Sequence, residues 1–185
     1  MKKILALMLA MIMMLSFAAC GSNEPTDENN GEAGNNETVL NTVEGTPEEI
    51  IEKIYAEFET LPEFPVMTMN LADMDAESFP YYTGLADNSK VKESAFSEAA
   101  MGSQAYSMVI VRVNDAADTE AVANEMLNGI DTRKWICVEA DDLAVAAYND
   151  VIMLYMIDSQ YGFSSESAVA AFNAVVGGEA TVYTR

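Results

Sequence analysis

Two stretches, Ser107-Met108-Val109-Ile110-Val111-Arg112-Val113 and Val151-Ile152-Met153-Leu154-Tyr155-Met156-Ile157, are apolar at nearly every position, and this restricts the possible architecture more than any other feature. Side chains on a strand alternate between two faces, so a strand with one wet face alternates apolar with polar. Strands apolar at both parities belong in the centre of a sheet. Either helices cover both faces, or one face is left for a partner.

Each stretch closes a hairpin. Val91 to Ala100, a turn at Met101-Gly102-Ser103 and Ala105 to Val113 form the first, followed by helical spacing from Thr119 to Ile130. Leu143 to Tyr148, a turn at Asn149-Asp150 and Val151 to Ile157 form the second, followed by a helix from about Ser165 to Val176. The stripes Ala121, Val122, Met126, Leu127, Ile130 and Ala168, Val169, Phe172, Val175, Val176 supply packing layers. The repeated ββα order reads as a pseudo-repeat, without matching residue identities.

Ahead of these, Thr46-Pro47-Glu48-Glu49 combines an N-cap, a proline at the first helical position and a glutamate three after the cap. Ile50, Ile51, Ile54, Tyr55, Phe58 and Leu61 continue as one stripe, which Pro62 is expected to end. Residues 62–88, broken by Pro65 and Pro80, hold at most a short helical turn around Asp75 to Tyr82. The expectation is an α+β fold: about four strands in a mainly antiparallel sheet, packed with three helices in the order α-ββα-ββα, as a single domain over residues 46–185.

The N-terminus reads as an export signal over residues 1–19. Lys2 and Lys3 precede an apolar run from Ile4 to Leu15, and Ser16-Phe17-Ala18-Ala19-Cys20-Gly21 follows. A dozen residues at ~1.5 Å of helical rise fall well short of a ~30 Å bilayer core. Phe17-Ala18-Ala19-Cys20 resembles the lipobox of bacterial lipoproteins, which implies diacylglycerol on the Cys20 thiol and cleavage before it. The usual residue three before the cysteine is Leu, and Phe17 departs from it. Ordinary secretion with a cut after Ala18 and a retained anchor are the alternatives. Two or three acyl chains at ~0.8 kcal/mol per buried methylene hold a protein firmly on a membrane. Residues 20–45, rich in Asn, Glu, Asp, Gly and Thr, read as a disordered acidic tether with a span of roughly 28 Å. Asn36-Glu37-Thr38 matches a glycosylation sequon, a match that is usually chance on a bacterial secretory route.

Charge and composition exclude several function classes. The chain has 30 acidic and nine basic residues, a formal charge of −21, and losing Lys2 and Lys3 makes it more negative. Such a chain repels nucleic acid and anionic headgroups, and its acidity is that of a solvated surface. It contains no histidine. That removes Ser-His and Cys-His nucleophile pairs, histidine-ligated haem and nearly every catalytic zinc site. With Cys20 lipidated, Cys137 has no disulfide partner, and its setting in Trp135-Ile136-Cys137-Val138 predicts a buried, inert thiol.

The remaining motifs each have a bland alternative. Asp73, Asp75 and Glu77 resemble the start of a calcium loop, but Phe79-Pro80 stands where a turn glycine would follow, so a solvated loop or cap is expected. Glu139, Asp141 and Asp142 could supply an acid and a base only if one were buried, and neighbours on a strand point to opposite faces. Ser89-Lys90-Val91-Lys92 matches Ser-x-x-Lys of penicillin-recognising enzymes without that fold's companion elements. Met67, Met69 and Met74 could serve copper as thioethers, but core packing is the ordinary role. Tyr81-Tyr82 could offer aromatic faces to sugar or peptide, or pack over a core edge.

The lipobox, acidic spacer, Thr-Pro-Glu-Glu helix, the strand Ala105 to Val113 running into a helix, and the Tyr148-Asn149-Asp150-Val151 hairpin together resemble a family of uncharacterised small lipoproteins of Gram-positive anaerobes, a domain of unknown function. The likeness spans about Glu48 to Val176. It implies location and architecture, without an activity. Members often carry Gly in the last hairpin turn, where this chain has Asn149-Asp150, which tolerates φ > 0.

The expected function is a lipid-anchored binding or interaction domain on the extracytoplasmic face of the cell membrane. Cys20 is its one assigned site, for lipid attachment. No catalytic, cofactor or metal residues are assigned. Its expected partners are the membrane, through the lipid on Cys20, and an envelope protein or glycan. A cation-binding surface module and a histidine-free, carboxylate-dependent envelope hydrolase are the alternatives.

Overall fold

The computed structural model describes residues 43–185. The expected export signal, Cys20 and the expected tether up to residue 42 lie outside the described residues. No helix of the described residues is long and apolar enough to cross a membrane.

The chain forms α1 (Pro47–Glu57), β1 (Val66–Asn70), α2 (Ser78–Thr83), β2 (Val91–Ala99), β3 (Tyr106–Val113), α3 (Thr119–Gly129), β4 (Asp142–Tyr148), β5 (Val151–Ile157), α4 (Ser165–Val176) and β6 (Thr181–Tyr183). All six strands join one sheet in the order β1-β2-β3-β5-β4-β6, and every neighbouring pair is antiparallel. The expected four-stranded, three-helix order α-ββα-ββα is therefore incorrect: the described residues form six strands and four α-helices. The two unexpected strands are the sheet's edges. β1 is exposed along most of its length and β6 has three residues, so neither carries the apolar signature of a buried strand.

The doubly apolar strands β3 and β5 are central and paired, with Val109 opposite Leu154. Helices of the chain cover both faces. Tyr106, Met108, Ile110, Met153 and Tyr155 pack with Ile50, Ile51 and Ile54 of α1 and Ala168 and Phe172 of α4. Val109, Val111, Ile152 and Leu154 pack on the other side with Phe79 of α2 and Val122, Met126 and Leu127 of α3. The pseudo-repeat does not extend to a common helix layer. The β3-α3-β4 and β5-α4-β6 connections each skip one strand and step the same way across the sheet, but β3 and β5 run in opposite directions. One common handedness then puts α3 and α4 on opposite faces, and the strong preference for right-handed crossovers supplies the reason.

The N-terminus of α1 forms as its motif predicts. The Thr46 hydroxyl accepts from the Glu49 N–H at 3.3 Å, and the Glu49 carboxylate accepts from the Thr46 N–H at 3.0 Å. Its C-terminus is earlier than expected. Phe58 turns to extended backbone (ψ 132°), and Leu61 is 57% exposed rather than part of the stripe. Arg112 is the charged exception in β3. It donates to Asp150 at 2.6 Å and to the Val43 and Gly45 carbonyls at 2.7 and 3.0 Å, so residues 43–45 are fastened to the domain just ahead of α1. Asn149 takes φ 51° in the β4–β5 turn, the left-handed conformation that asparagine tolerates.

Candidate functional site

An open groove lies where the C-terminal end of α1 faces α4. Its first part, about 450 Å³, lies among Glu57, Phe58, Glu59 and Phe163, and the outer wall is the small-residue face of α4 at Ser167, Ala170, Ala171 and Ala174. A second depression of about 380 Å³ shares Thr60, Gly162 and Phe163 and continues past Leu61, Glu63, Phe64 and Tyr161. Local sequence explains the opening. Early termination of α1 releases residues 58–65 as an irregular strap, and alanines on α4 leave space that larger residues would fill.

The floor is aromatic. Phe58 lies 6.5 Å from Phe163, and Phe64 lies 5.1 Å from Tyr161 between ring centroids. Phe58 also meets Tyr55 edge-on at 5.9 Å, and Phe64 meets Tyr106 at 5.6 Å. Below them the Tyr55 hydroxyl shares hydrogen bonds with Tyr106 (2.7 Å) and Ser97 (2.8 Å), and Thr68 donates to Ser97 at 3.0 Å. Edge-to-face and tilted ring contacts, with the shared hydroxyls beneath, tie the floor to the sheet. The rim carries Glu57, Glu59 and Glu63, and among the described residues no basic side chain lines either depression.

Burial raises the tyrosines. Desolvation pushes the Tyr55, Tyr106 and Tyr155 hydroxyls above their ordinary value, and burial beside Glu98 pushes Tyr81 up to about 12. Tyr82 and Tyr183 are raised by the same cause. Tyrosines in the unfolded chain ionise near pH 10, so above that pH the unfolded chain releases protons that the fold retains, and stability falls as pH rises. Burial lowers the Lys134 pKa, which has the opposite sign: the folded chain gives up this proton first, so stability rises with pH until the unfolded lysine also deprotonates near 10.4. The melting temperature should therefore decline steeply only beyond about pH 10, with phenolate absorbance at 295 nm appearing together with unfolding. Phenolate signal at pH 10 amounting to most of the eight tyrosines, with the far-ultraviolet circular dichroism intact, would show that the buried hydroxyls are not protected.

The sequence-nominated residues lie elsewhere. Asp75 accepts from the Ser78 N–H and hydroxyl at 3.0 and 2.9 Å, tying down the start of α2, and Asp73 and Glu77 are exposed beside it. Glu139, Asp141 and Asp142 diverge. Glu139 pairs with Arg133 at 2.7 Å on the surface. Asp141 accepts the Ser159 N–H and hydroxyl, both at 2.7 Å, and these bonds hold its carboxyl below the usual range. Asp142 accepts from Ser165 at the start of α4, at 2.7 Å from the N–H and 2.5 Å from the hydroxyl. Among the described residues no three acidic or thiol side chains converge as a cation site. Ser89 sits in a turn and Lys92 in β2, so Ser-x-x-Lys does not occupy one helical turn. Met67 and Met69 are exposed on β1, and Met74 packs against the α2–α3 core. Cys137 is exposed with φ 63°, contrary to the buried thiol expected from its neighbours.

Tyr81 and Tyr82 enclose a lysine that sequence reading did not single out. The Lys134 ammonium lies 4.7, 5.1 and 5.4 Å from the rings of Tyr81, Tyr82 and Trp135 and forms an ion pair with Glu98 of β2. Both charged side chains are almost fully enclosed. The sequence signal for the groove is weak but visible: Glu57-Phe58-Glu59 and Glu63-Phe64 alternate acid with aromatic immediately after the helix. Compared with protein-family models, curated proteins and solved structures, the chain matches none.

Proposed function

We propose that this chain is a lipid-anchored binding domain of the extracytoplasmic membrane face, held by Cys20, and that it binds an envelope component in the groove between α1 and α4. The groove carries this reading: it is a concave site with an aromatic floor and a few polar groups at its rim, which is the general form of a binding site. Its position suits an anchored protein. The chain enters the described domain at Val43, by the N-terminus of α1, whereas the groove opens at the other end of that helix. Eleven residues of helix place about 16 Å between the two ends. The lipobox resemblance supports the anchor, and the acidic composition suits a domain kept soluble beside a membrane.

Intact cells provide the test. A photo-crosslinking residue at Phe163 in the full chain should capture one reproducible envelope component, whereas the same residue at Asn128 on α3 should not. Ala174→Trp, which fills the groove, should abolish capture. Cys20→Ser should move the protein out of the membrane fraction. Capture that is indifferent to Ala174→Trp would place binding elsewhere, and membrane retention of the Cys20→Ser chain would remove the anchor.

A further inference from the structure

We infer that the occupant of the groove is an extended peptide segment carrying lysine or arginine between apolar side chains; this rests on the binding reading above. Three observations converge on a cation. Glu57, Glu59 and Glu63 stand on the rim, with no base among the lining residues to neutralise them. The C-terminus of α1 opens at the same place, and its last turn holds no basic residue. Carbonyls at a helix C-terminus form the negative pole of the helix dipole, so Glu57 and Glu59 sit where acidic residues are least favourable. A bound cation relieves both. Phe58 and Phe163 add ring faces to which an ammonium or guanidinium is attracted.

The same floor requires apolar groups. Two connected depressions with aromatic surfaces call for a ligand long enough to occupy both, with charge at the rim and hydrocarbon below. An extended peptide sends alternate side chains to one face and meets that need with basic and apolar residues at alternate positions. The chain's own N-terminal segment is a poor occupant, because residues 20–42 contain acidic residues and no lysine or arginine. A second copy is disfavoured by a formal charge of −21 on each chain.

The probe is a fluorescent peptide of alternating leucine and lysine, titrated by anisotropy into the full chain in detergent, beside a leucine–glutamate counterpart. The basic peptide should bind and the acidic one should not. The pair Glu57→Gln and Glu59→Gln should weaken binding about tenfold, the effect of losing two exposed charge pairs. Added salt should weaken binding further. Ala174→Trp leaves the net charge unchanged and should abolish binding, while Glu139→Gln should not alter it. Melting temperatures close to that of the parent chain confirm that these surface variants fold. Undiminished binding to the Ala174→Trp chain would reduce the interaction to bulk charge attraction and overturn the inference. So would equal binding of the acidic peptide, or self-association that this substitution abolishes. If groove-dependent crosslinking on cells persists while the basic peptide fails to bind, the ligand class alone is wrong; if crosslinking ignores the groove, the binding reading falls with it.

Discussion

Replacing Lys134 with alanine should lower the unfolding free energy by about 3–5 kcal/mol, the usual consequence of removing one partner from a buried ion pair. The Lys134 side chain is 2% exposed and that of Glu98 is 8% exposed, so water cannot compensate the carboxylate that remains. The ammonium also lies over the rings of Tyr81, Tyr82 and Trp135, and desolvated contacts of this kind contribute up to about 2 kcal/mol. It approaches the Tyr81 carbonyl at 3.4 Å and the Ser107 hydroxyl at 3.5 Å. Lys134 belongs to the loop between α3 and β4, whereas Glu98 belongs to β2. The pair therefore fastens that loop, with Trp135, onto the sheet.

Two controls separate pairing from packing. In Lys134→Met most of the stem's apolar volume remains while the charge is lost, so the deficit should stay close to that of Lys134→Ala. Combining Lys134→Met with Glu98→Leu replaces both charges with apolar volume and should recover most of the loss, because the cost arises from an unpaired charge. Urea unfolding followed by Trp135 fluorescence gives all three values. A loss below about 1 kcal/mol for the alanine variant would mean that the pair is screened as a surface pair is.

Which parts of the fold were legible depended on burial. β3 and β5 announced themselves because each buries both faces, and α4 appeared at its true limits because Ser164 caps it and Gly177 ends it in the left-handed conformation. β1 and β6 did not, since an edge strand has little to bury: Val66-Met67-Thr68-Met69-Asn70 is held by its pairing with β2 rather than by a core. The stripe of α1 was overextended because Phe58 and Leu61 have helical spacing although the backbone has already turned. The groove was hidden for a related reason. Phe58 and Phe64 come from the strap after α1, and Tyr161 and Phe163 from the turn before α4, about a hundred positions away, so no local window holds both walls. Carboxylates chosen by proximity in sequence proved to hold turns and helix starts, because a strand or tight turn sends adjacent side chains to different partners.

Gly84→Ala should be comparably damaging, at about 2–5 kcal/mol, for a reason that no side-chain contact reveals. Gly84 ends α2 with φ 76°, and a Cβ there would lie 2.5 Å from the Ile130 N, 2.8 Å from the Met126 O and 2.9 Å from the Gly129 C. Across the contact, a Cβ on Gly129 would lie 2.0 Å from the Gly84 O. The ends of α2 and α3 thus meet backbone to backbone, and the obstructing atoms cannot rotate away as a flexible side chain would. Left-handed backbone costs an alanine roughly 1–2 kcal/mol, and overpacking adds about 1–3 kcal/mol. Gly162→Ala separates the two contributions: its φ is 78° with nothing within 4 Å of a Cβ, so it should lose only the conformational part. Gly129→Ala carries the steric part with a partial offset of about 1 kcal/mol from helix propensity, and the double variant should cost less than the sum because both changes open one contact. Equal losses for Gly84→Ala and Gly162→Ala in urea unfolding would show that the helix ends do not touch. A larger loss for Gly84→Ala should also expose Lys134, because α2 carries the Tyr81 and Tyr82 rings that cover it, and parting the helix ends lifts those rings off the ammonium.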